Sequence, residues 1–243
     1  AASRMNCTPY PSLDHAIHTD TTTAIVLTIP NHFHFQYTMM ALEAGKHVFV
    51  EKPLTNNHSD SRTLCETAEQ KGLILCVGHN YRYSSHIQKI RSLLLSKCIG
   101  EVVAAELNMG HGGGLKFTPR MWRYHKDQCP GGPLNMLGSH LIDAANYLFG
   151  EVQDVHGIVK NLYASTTAED MSIVQLEYKS GVVANITNLY NSVSTEYINI
   201  YGTEGAIRFT RWPQTGIWFQ PRDIDRNSAP YEQIHYQEND SSR

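Results

Sequence analysis

The sequence lacks the features that would place it in several specialised classes of protein. Its five cysteines are an odd number at wide, irregular spacing, which argues against a disulfide framework and is typical of reduced thiols. No apolar run approaches the roughly 18 residues that span a bilayer, and the N-terminus has no signal-peptide pattern. The formal net charge of −3 provides no basic face for a nucleic-acid backbone. We therefore expect a cytoplasmic protein that binds neither nucleic acid nor membrane.

A metal site is also not predicted. The chain has 13 histidines, but no cluster of His, Cys and Asp has the spacing of zinc ligands.

The first hundred residues alternate short apolar runs with amphipathic segments of helical length. This pattern predicts strands at 24–29, 47–50 and 73–77, each followed by a helix, at 33–44, 59–71 and 84–97. The continuous apolar run at 24–29 is typical of a parallel strand that is buried on both faces. The order β-α-β-α-β-α predicts part of a Rossmann-type, doubly wound parallel sheet over residues 1–99.

The pattern changes after Gly100. A strand at 101–109 and a helix at 134–149 precede strands at 152–159, 171–178, 182–189, 197–201 and 206–210. Hairpin turns at Ser180-Gly181 and Glu204-Gly205 indicate antiparallel neighbours. Residues 100–243 are therefore predicted to form an α+β domain with a large antiparallel sheet, one face of which is free for homo-oligomerisation.

Polar side chains follow all three strands of the first half. The first strand is followed by Pro30-Asn31-His32, the second by Glu51-Lys52-Pro53, and the third by Gly78-His79-Asn80. Ligands of open parallel sheets bind outside the carboxyl ends of the strands. The alternative is that strand ends are simply polar, but a lysine held before a proline is well placed to face a ligand.

Two longer runs carry a family resemblance. The segments Ile29-Pro-Asn-His-Phe-His34 and Ala41-Leu-Glu-Ala-Gly-Lys-His-Val-Phe-Val-Glu-Lys-Pro-Leu54 resemble the glucose-fructose oxidoreductase / inositol dehydrogenase (Gfo/Idh/MocA) family. Gly78-His-Asn-Tyr-Arg82 and the run from Gly131 to Asp143 extend the similarity. The resemblance implies an oxidoreductase that transfers a hydride between NAD or NADP and a secondary alcohol of a sugar, polyol or derivative.

The resemblance also implies roles for individual residues. Lys52 and His140 would be catalytic, with Lys52 beside the nicotinamide ribose and the substrate hydroxyl and His140 as the acid/base. The bond before Pro53 would be cis. Cofactor contacts are expected from Pro30, Asn31, His34, Glu51, Lys52, Pro53 and Asn80, and substrate contacts from Arg82, Trp122, Arg123, His140 and Asp143.

Two of these assignments have structural alternatives. Asp143 lies three residues after His140, on the same helical face, and either orients the imidazole or tethers the helix to the sheet. Trp122 and Arg123 either contact a ligand or pack on each other by a cation–π interaction.

The chain departs from the family pattern in ways that bear on activity. Met136 stands where many catalytic members have an aspartate, four residues before the histidine, and a methionine cannot raise the pKa of an imidazole. No Gly-x-Gly-x-x-Gly follows an early strand, so we expect a fragment without the first β-α-β and its pyrophosphate cradle. The sequence also ends soon after the antiparallel strands, where family members usually continue, so we expect the fragment to be incomplete at its C-terminus as well. The alternatives to a dehydrogenase are a non-catalytic dinucleotide sensor or scaffold of the same fold and an inactive fragment.

Overall fold

The structure is a computed structural model that describes residues 9–18, 21–222 and 231–237. The chain folds into two compact units, Ala1–Gly78 and His79–Arg243. The division falls before the boundary predicted near Gly100. The reason is that Ile87 and Ile90, in the helix predicted to end the first domain, are fully buried in the core of the second unit.

The first unit is built around a three-stranded parallel sheet in the order β1-β2-β3. Its elements are α1 (Leu13–Ile17), β1 (Ala24–Leu27), α2 (His34–Glu43), β2 (His47–Val50), α3 (His58–Gln70) and β3 (Leu75–Val77). Asn57 begins α3, because its side chain accepts the N–H of Asp60 at 2.9 Å and so caps the first turn. The predicted alternation of parallel strands and helices is confirmed.

One face of this sheet carries the core of the unit. Leu27 and Val50 pack there in one cluster with Leu42 of α2 and Leu64 of α3. The other face is exposed, with Val26 67% accessible. The prediction that the first strand is buried on both faces is therefore wrong for the described residues, because the side chains of α2 and α3 join the same cluster.

The second unit contains an eight-stranded sheet in the order β11-β10-β9-β8-β4-β7-β6-β5. Its helices are α4 (Ser85–Leu95) and α5 (Ser139–Phe149), and its strands are β4 (Val102–Gly110), β5 (Val152–Lys160), β6 (Met171–Tyr178), β7 (Val183–Leu189), β8 (Thr195–Gly202), β9 (Gly205–Thr210), β10 (Gly216–Pro221) and β11 (Glu232–Ile234). The sequence did not predict β10 and β11.

This sheet is mixed rather than wholly antiparallel. β4 lies between β8, to which it is antiparallel, and β7, to which it is parallel. The parallel pair arises because β4 enters the middle of the sheet instead of adding to an edge. Its buried face packs against α4 and α5, through residues such as Ile90, Leu141 and Ala144.

Three further observations concern the part of the chain that the structure describes. No helix there is both long and apolar enough to cross a bilayer. No group of three or more His, Cys, Asp or Glu side chains there is arranged to hold a metal ion. The cysteines described as free are Cys65, Cys76, Cys98 and Cys129, and Cys7 lies outside the described residues.

Candidate active site

The carboxyl ends of β1, β2 and β3 lie side by side. The N–H of Glu51 donates to the carbonyl of Leu27 at 3.0 Å, and the N–H of Gly78 donates to the carbonyl of Val50 at 2.8 Å. These bonds extend the parallel ladders by one residue past β2 and past β3. The three polar segments of the first half therefore begin at one edge of the sheet, as the sequence predicts.

Lys52 follows the central strand of this sheet and is half-buried. The Lys52–Pro53 peptide bond is cis, as the family resemblance implies. Glu51 lies next to the main chain of Gly78, where a Cβ would come within 3.4 Å of the Glu51 carboxylate and 3.3 Å of the Phe49 ring. A side chain at position 78 would therefore crowd the carboxylate at the sheet edge.

The chemistry of this edge fits the ribose and nicotinamide half of a dinucleotide. A carboxylate accepts hydrogen bonds from sugar hydroxyls, and an ammonium group donates to them. Glu51 and Lys52 supply these two groups from adjacent positions.

His34 braces two of the loops at the sheet edge. Its side chain is fully buried. Nδ1 lies 2.7 Å from the carbonyl oxygen of Pro53, and Nε2 lies 2.8 Å from that of Ile29. The imidazole therefore connects the segment after β1 with the segment after β2. This corrects the expectation that His34 lines the cofactor path, because a side chain enclosed by two main-chain carbonyls has no open surface.

The other predicted cofactor residues differ in exposure. Asn31 is only 4% exposed, whereas Pro30 is half-buried. Asn80, in the second unit, is exposed at the start of a 3-10 turn, Asn80–Tyr83. For Asn31, a side chain this deeply buried is suited to fixing the loop after β1 more than to extended ligand contact.

His140 is the second residue of α5 and is half-buried. The preceding turn, Leu134–Gly138, is a π-helix rather than the regular helix that the sequence predicts. Single π-turns occur often at functional sites. Met136 lies within this turn, so the α-helical i, i+4 geometry assumed between positions 136 and 140 does not hold there.

Asp143, one turn after His140, is held by Arg82. The guanidinium donates from Nε to Oδ2 at 2.8 Å, and from Nη2 to Oδ1. Hydrogen bonding to Asp143 raises the pKa of Arg82 above its ordinary value, although burial opposes this. The pair ties α5 to the turn after β3, which is the tethering alternative for Asp143. The substrate contacts expected of Arg82 and Asp143 remain a prediction, because the Arg82 side chain is still 33% exposed.

Trp122 and Arg123 also pack on each other. The Arg123 guanidinium lies 4.4 Å from the centroid of the Trp122 ring, which is the cation–π alternative. The adjacent carbonyl of Tyr124 accepts the N–H groups of Thr167 and Ala168 at 3.0 and 3.2 Å. This segment is thereby fastened to the loop between β5 and β6.

Asp170 and Glu196 are buried carboxylates that were not predicted from the sequence. Asp170, fully buried, accepts the N–H groups of Leu162, Tyr163 and Ala164 at 2.7–2.9 Å. Glu196 is 6% exposed at the start of β8. A signal existed for Glu196, because it lies two residues before the core residue Ile198 and so on the inward face of the strand.

Family models match both parts of the chain. Residues 1–79 match an oxidoreductase family with an NAD-binding Rossmann fold, and residues 87–208 match a GFO/IDH/MocA C-terminal domain. Scyllo-inositol 2-dehydrogenase (NADP(+)) IolW of Bacillus subtilis is 31% identical over 209 residues, which are 80% of this chain and 57% of the relative. D-glucoside 3-dehydrogenase of Escherichia coli is 35% identical over 50% of this chain and 34% of the relative. The matched part of the chain thus spans 57% of the length of the first relative and 34% of the second.

Solved structures show the same fold. An oxidoreductase of Desulfitobacterium hafniense superposes with a TM-score of 0.86 at 23% identity, covering 98% of this chain and 71% of that one. Levoglucosan dehydrogenase in complex with NADH and levoglucosan superposes with a TM-score of 0.85 at 21% identity, covering 97% and 67%.

Proposed function

Because the chain belongs to the GFO/IDH/MocA family of oxidoreductases, we propose that the protein carrying it is an NAD(P)-dependent dehydrogenase. Its substrate is a secondary alcohol of a sugar, polyol or derivative, as the names of several relatives suggest. The observation that carries the proposal is the placement of Lys52, which follows the central strand of the parallel sheet within the Glu-Lys-Pro motif.

The proposed chemistry divides between the cofactor and two side chains. A bound nicotinamide supplies the hydride acceptor for the carbinol carbon. His140 takes the proton of the substrate hydroxyl as general base. Lys52 places its positive charge at the oxygen, where negative charge develops. Glu51 accepts hydrogen bonds from a ribose.

The test is replacement of Lys52 in the full-length protein. Lys52→Met removes the charge but keeps the length of the side chain. We expect kcat/KM to fall about 100- to 1000-fold, because a group aimed at developing charge acts mainly in the transition state. Dinucleotide affinity should remain within about tenfold. The matched control is Lys71→Met, at an exposed lysine of the same unit.

The outcomes separate clearly. Lost dinucleotide binding with unchanged turnover in the remaining loaded enzyme would assign Lys52 to cofactor binding alone. Equal losses in both variants would indicate a general effect of removing lysine charge.

Met136 favours a second candidate, a dinucleotide sensor or scaffold without catalysis, because a neutral thioether carries no negative charge that would stabilise a protonated His140. Titration of the full-length protein with NAD(H) or NADP(H) and a panel of sugars and polyols tests this directly. Tight dinucleotide binding without any change in nicotinamide absorbance would support the sensor, whereas turnover would exclude it.

We also propose that the protein self-associates through the large sheet. Ile158 and Ile173 are opposed on β5 and β6 and are 54% and 45% exposed. Adjacent exposed aliphatic side chains on a sheet are suited to burial against a second copy. Light scattering should show a dimer or larger assembly that Ile173→Lys weakens. A monomer at all concentrations would rule the proposal out.

A further inference from the structure

A buried carboxylate lies under the turn that follows β3. Glu196 accepts the phenolic O–H of Tyr81 on Oε1 at 2.8 Å and the Nε–H of Arg211 on Oε2 at 2.7 Å. The main chain adds a further link, since the N–H of Arg211 donates to the carbonyl of Glu196 at 3.0 Å. The two side-chain oxygens are thus assigned to different donors, which fixes the rotation of the carboxylate.

His86 is the fourth side chain of this cluster, and its imidazole is neutral. Burial, and then the charge of Arg211, lower its pKa to about 3. Its ring stacks on Phe209 with centroids 4.1 Å apart, and its Nε2 lies 3.9 Å from Oε1 of Glu196. Arg211 is therefore the cationic partner of the carboxylate, and Tyr81 is its neutral donor.

The Tyr81 hydroxyl stays a hydrogen-bond donor and does not become a phenolate. Burial, followed by the charge of Glu196, raises the pKa of the phenol well above its ordinary value. The hydroxyl keeps its proton across the neutral range and donates it continuously to Glu196.

The ring of Tyr81 lies between this network and His140. The two ring centroids are 6.0 Å apart with an interplanar angle of 53°. Arg82, the next residue, binds Asp143 one turn beyond His140. The turn Asn80–Tyr83 is thus fastened at two adjacent residues, once to β8 through Tyr81 and once to α5 through Arg82.

We propose that Glu196, supported by Arg211, is a positioning residue for His140, acting through the Tyr81 hydroxyl. The carboxylate holds the phenol ring in place, and the ring restricts the orientation of the imidazole. As a statement about catalysis, this rests on the proposed function. Geometry matters at this level because a displacement of about 1 Å at a reacting group can cost about 100-fold in rate.

The test is a double-mutant cycle on Glu196→Gln and Tyr81→Phe, with two readouts. Glu196→Gln keeps the volume and an acceptor oxygen but removes the charge, and Tyr81→Phe keeps the ring but removes the hydroxyl. Neither residue is assigned to the chemical step. We expect each change to lower kcat about tenfold in the full-length enzyme, with KM within about threefold. In the Tyr81→Phe background, Glu196→Gln should add less than twofold.

The second readout needs no turnover. The imidazole resonances of His140, followed by NMR in selectively labelled protein, should shift or broaden in Glu196→Gln. They should not respond to Glu196→Gln in the Tyr81→Phe background. Because the Tyr81 ring lies 6.0 Å from the His140 ring and its hydroxyl binds Glu196, such a pattern would indicate that the effect passes through Tyr81.

Tyr178→Phe is the matched control. Its hydroxyl donates to Asn146 at 3.1 Å, so this variant removes a tyrosine hydrogen bond to α5, the helix that carries His140, without touching Tyr81 or Glu196. It should change neither kcat nor the His140 resonances.

The proposal is overturned if the His140 resonances are unchanged in Glu196→Gln, or if Tyr178→Phe alters them equally. It is also overturned if the two substitutions act independently in the cycle. Absence of turnover in the unmodified protein would instead reject the proposed function, and the NMR cycle would still decide whether Glu196 positions the imidazole.

Discussion

Two adjacent glycines before the His140 helix should respond very differently to the same substitution. Gly131 and Gly132 both have positive φ, 76° and 45°. A Cβ on Gly131 would meet its nearest atoms at 3.7 Å, an ordinary contact. A Cβ on Gly132 would lie 1.9 Å from the carbonyl oxygen of Glu169 and 2.8 Å from its carbonyl carbon. Alanine at each position therefore separates backbone conformation from steric exclusion.

The magnitudes follow from these distances. A left-handed alanine costs roughly 1–2 kcal/mol, of which roughly 0.4–1 kcal/mol is recovered through the lower entropy of the unfolded chain. Gly131→Ala should thus destabilise by about 1 kcal/mol. Gly132→Ala must also displace the main chain at Glu169, next to the fully buried Asp170. We expect a loss of more than about 4 kcal/mol, in the range that marks a specific structural conflict.

Urea denaturation followed by circular dichroism measures the difference, and thermal unfolding provides a check. For a unit of this size, about 1 kcal/mol corresponds to a shift in Tm of about 2–4 °C. Gly132→Ala should lower Tm by at least about 8 °C, and Gly131→Ala by only a few degrees. If the free energies of unfolding of the two variants agree within about 1 kcal/mol, the close approach of Gly132 to Glu169 is not what positions this turn.

Two further predictions concern the pH dependence of stability. Burial opposes ionisation of Asp170, but the N–H groups of Ala164, Tyr163 and Leu162 outweigh it and lower its pKa. The ionised carboxylate therefore contributes fully to stability above about pH 3.9, the ordinary pKa, and this contribution is lost as the pH falls through the lowered pKa. Asp170→Asn should lower the free energy of unfolding by about 2 kcal/mol or more at neutral pH, and the variant should lose less stability than the parent on acidification. Parallel acid-unfolding profiles of the two proteins would contradict this. His86, with a pKa lowered by burial and then by Arg211 to about 3, stays neutral in the fold while the unfolded chain takes up a proton. The free energy of unfolding should fall as the pH drops below about 6.5, by up to about 1.4 kcal/mol per pH unit. His86→Phe keeps a ring against Phe209 and should reduce this pH dependence in unfolding curves. An unchanged pH dependence would show that His86 is not its source.

The periodicity of the sequence predicts much of the first unit because its structure is local. The bounds of β2 agree with the prediction, and α3 and β3 differ by one or two residues at their ends. Apolar periodicity and terminal glycines act within a few residues, so a single sequence contains them. The prediction for the environment of β1 was wrong, because Val26 is apolar yet exposed. An apolar run alone does not show whether one or both faces of a strand are covered.

The predicted site residues divide by the range of their contacts. The cis bond before Pro53 and the shared edge of the strands follow from motif and topology. The partners of Arg82 and His34 do not follow from the motifs, because they are distant in sequence. Asp143 lies 61 residues from Arg82, and Pro53 lies 19 residues from His34. A charged or polar side chain in a motif suggests a ligand, and only the fold shows that its partner is another part of the chain. The π-turn before His140 was missed for the opposite reason, since its composition is that of an ordinary helix.

The place of β4 in the large sheet has a consequence for how the second unit is made. β4 is the first strand of that unit to be synthesised, yet Ala104 pairs with Val183 on one side and Tyr201 on the other. Neither neighbour exists until most of the unit has left the ribosome, so both edges of β4 remain without their hydrogen-bonding partners until then. Pairings so distant in sequence form slowly, because the loop must close before any contact is gained. We therefore expect the hairpin of β6 and β7 to form earlier, and β4 to enter a sheet whose two halves meet only when it arrives.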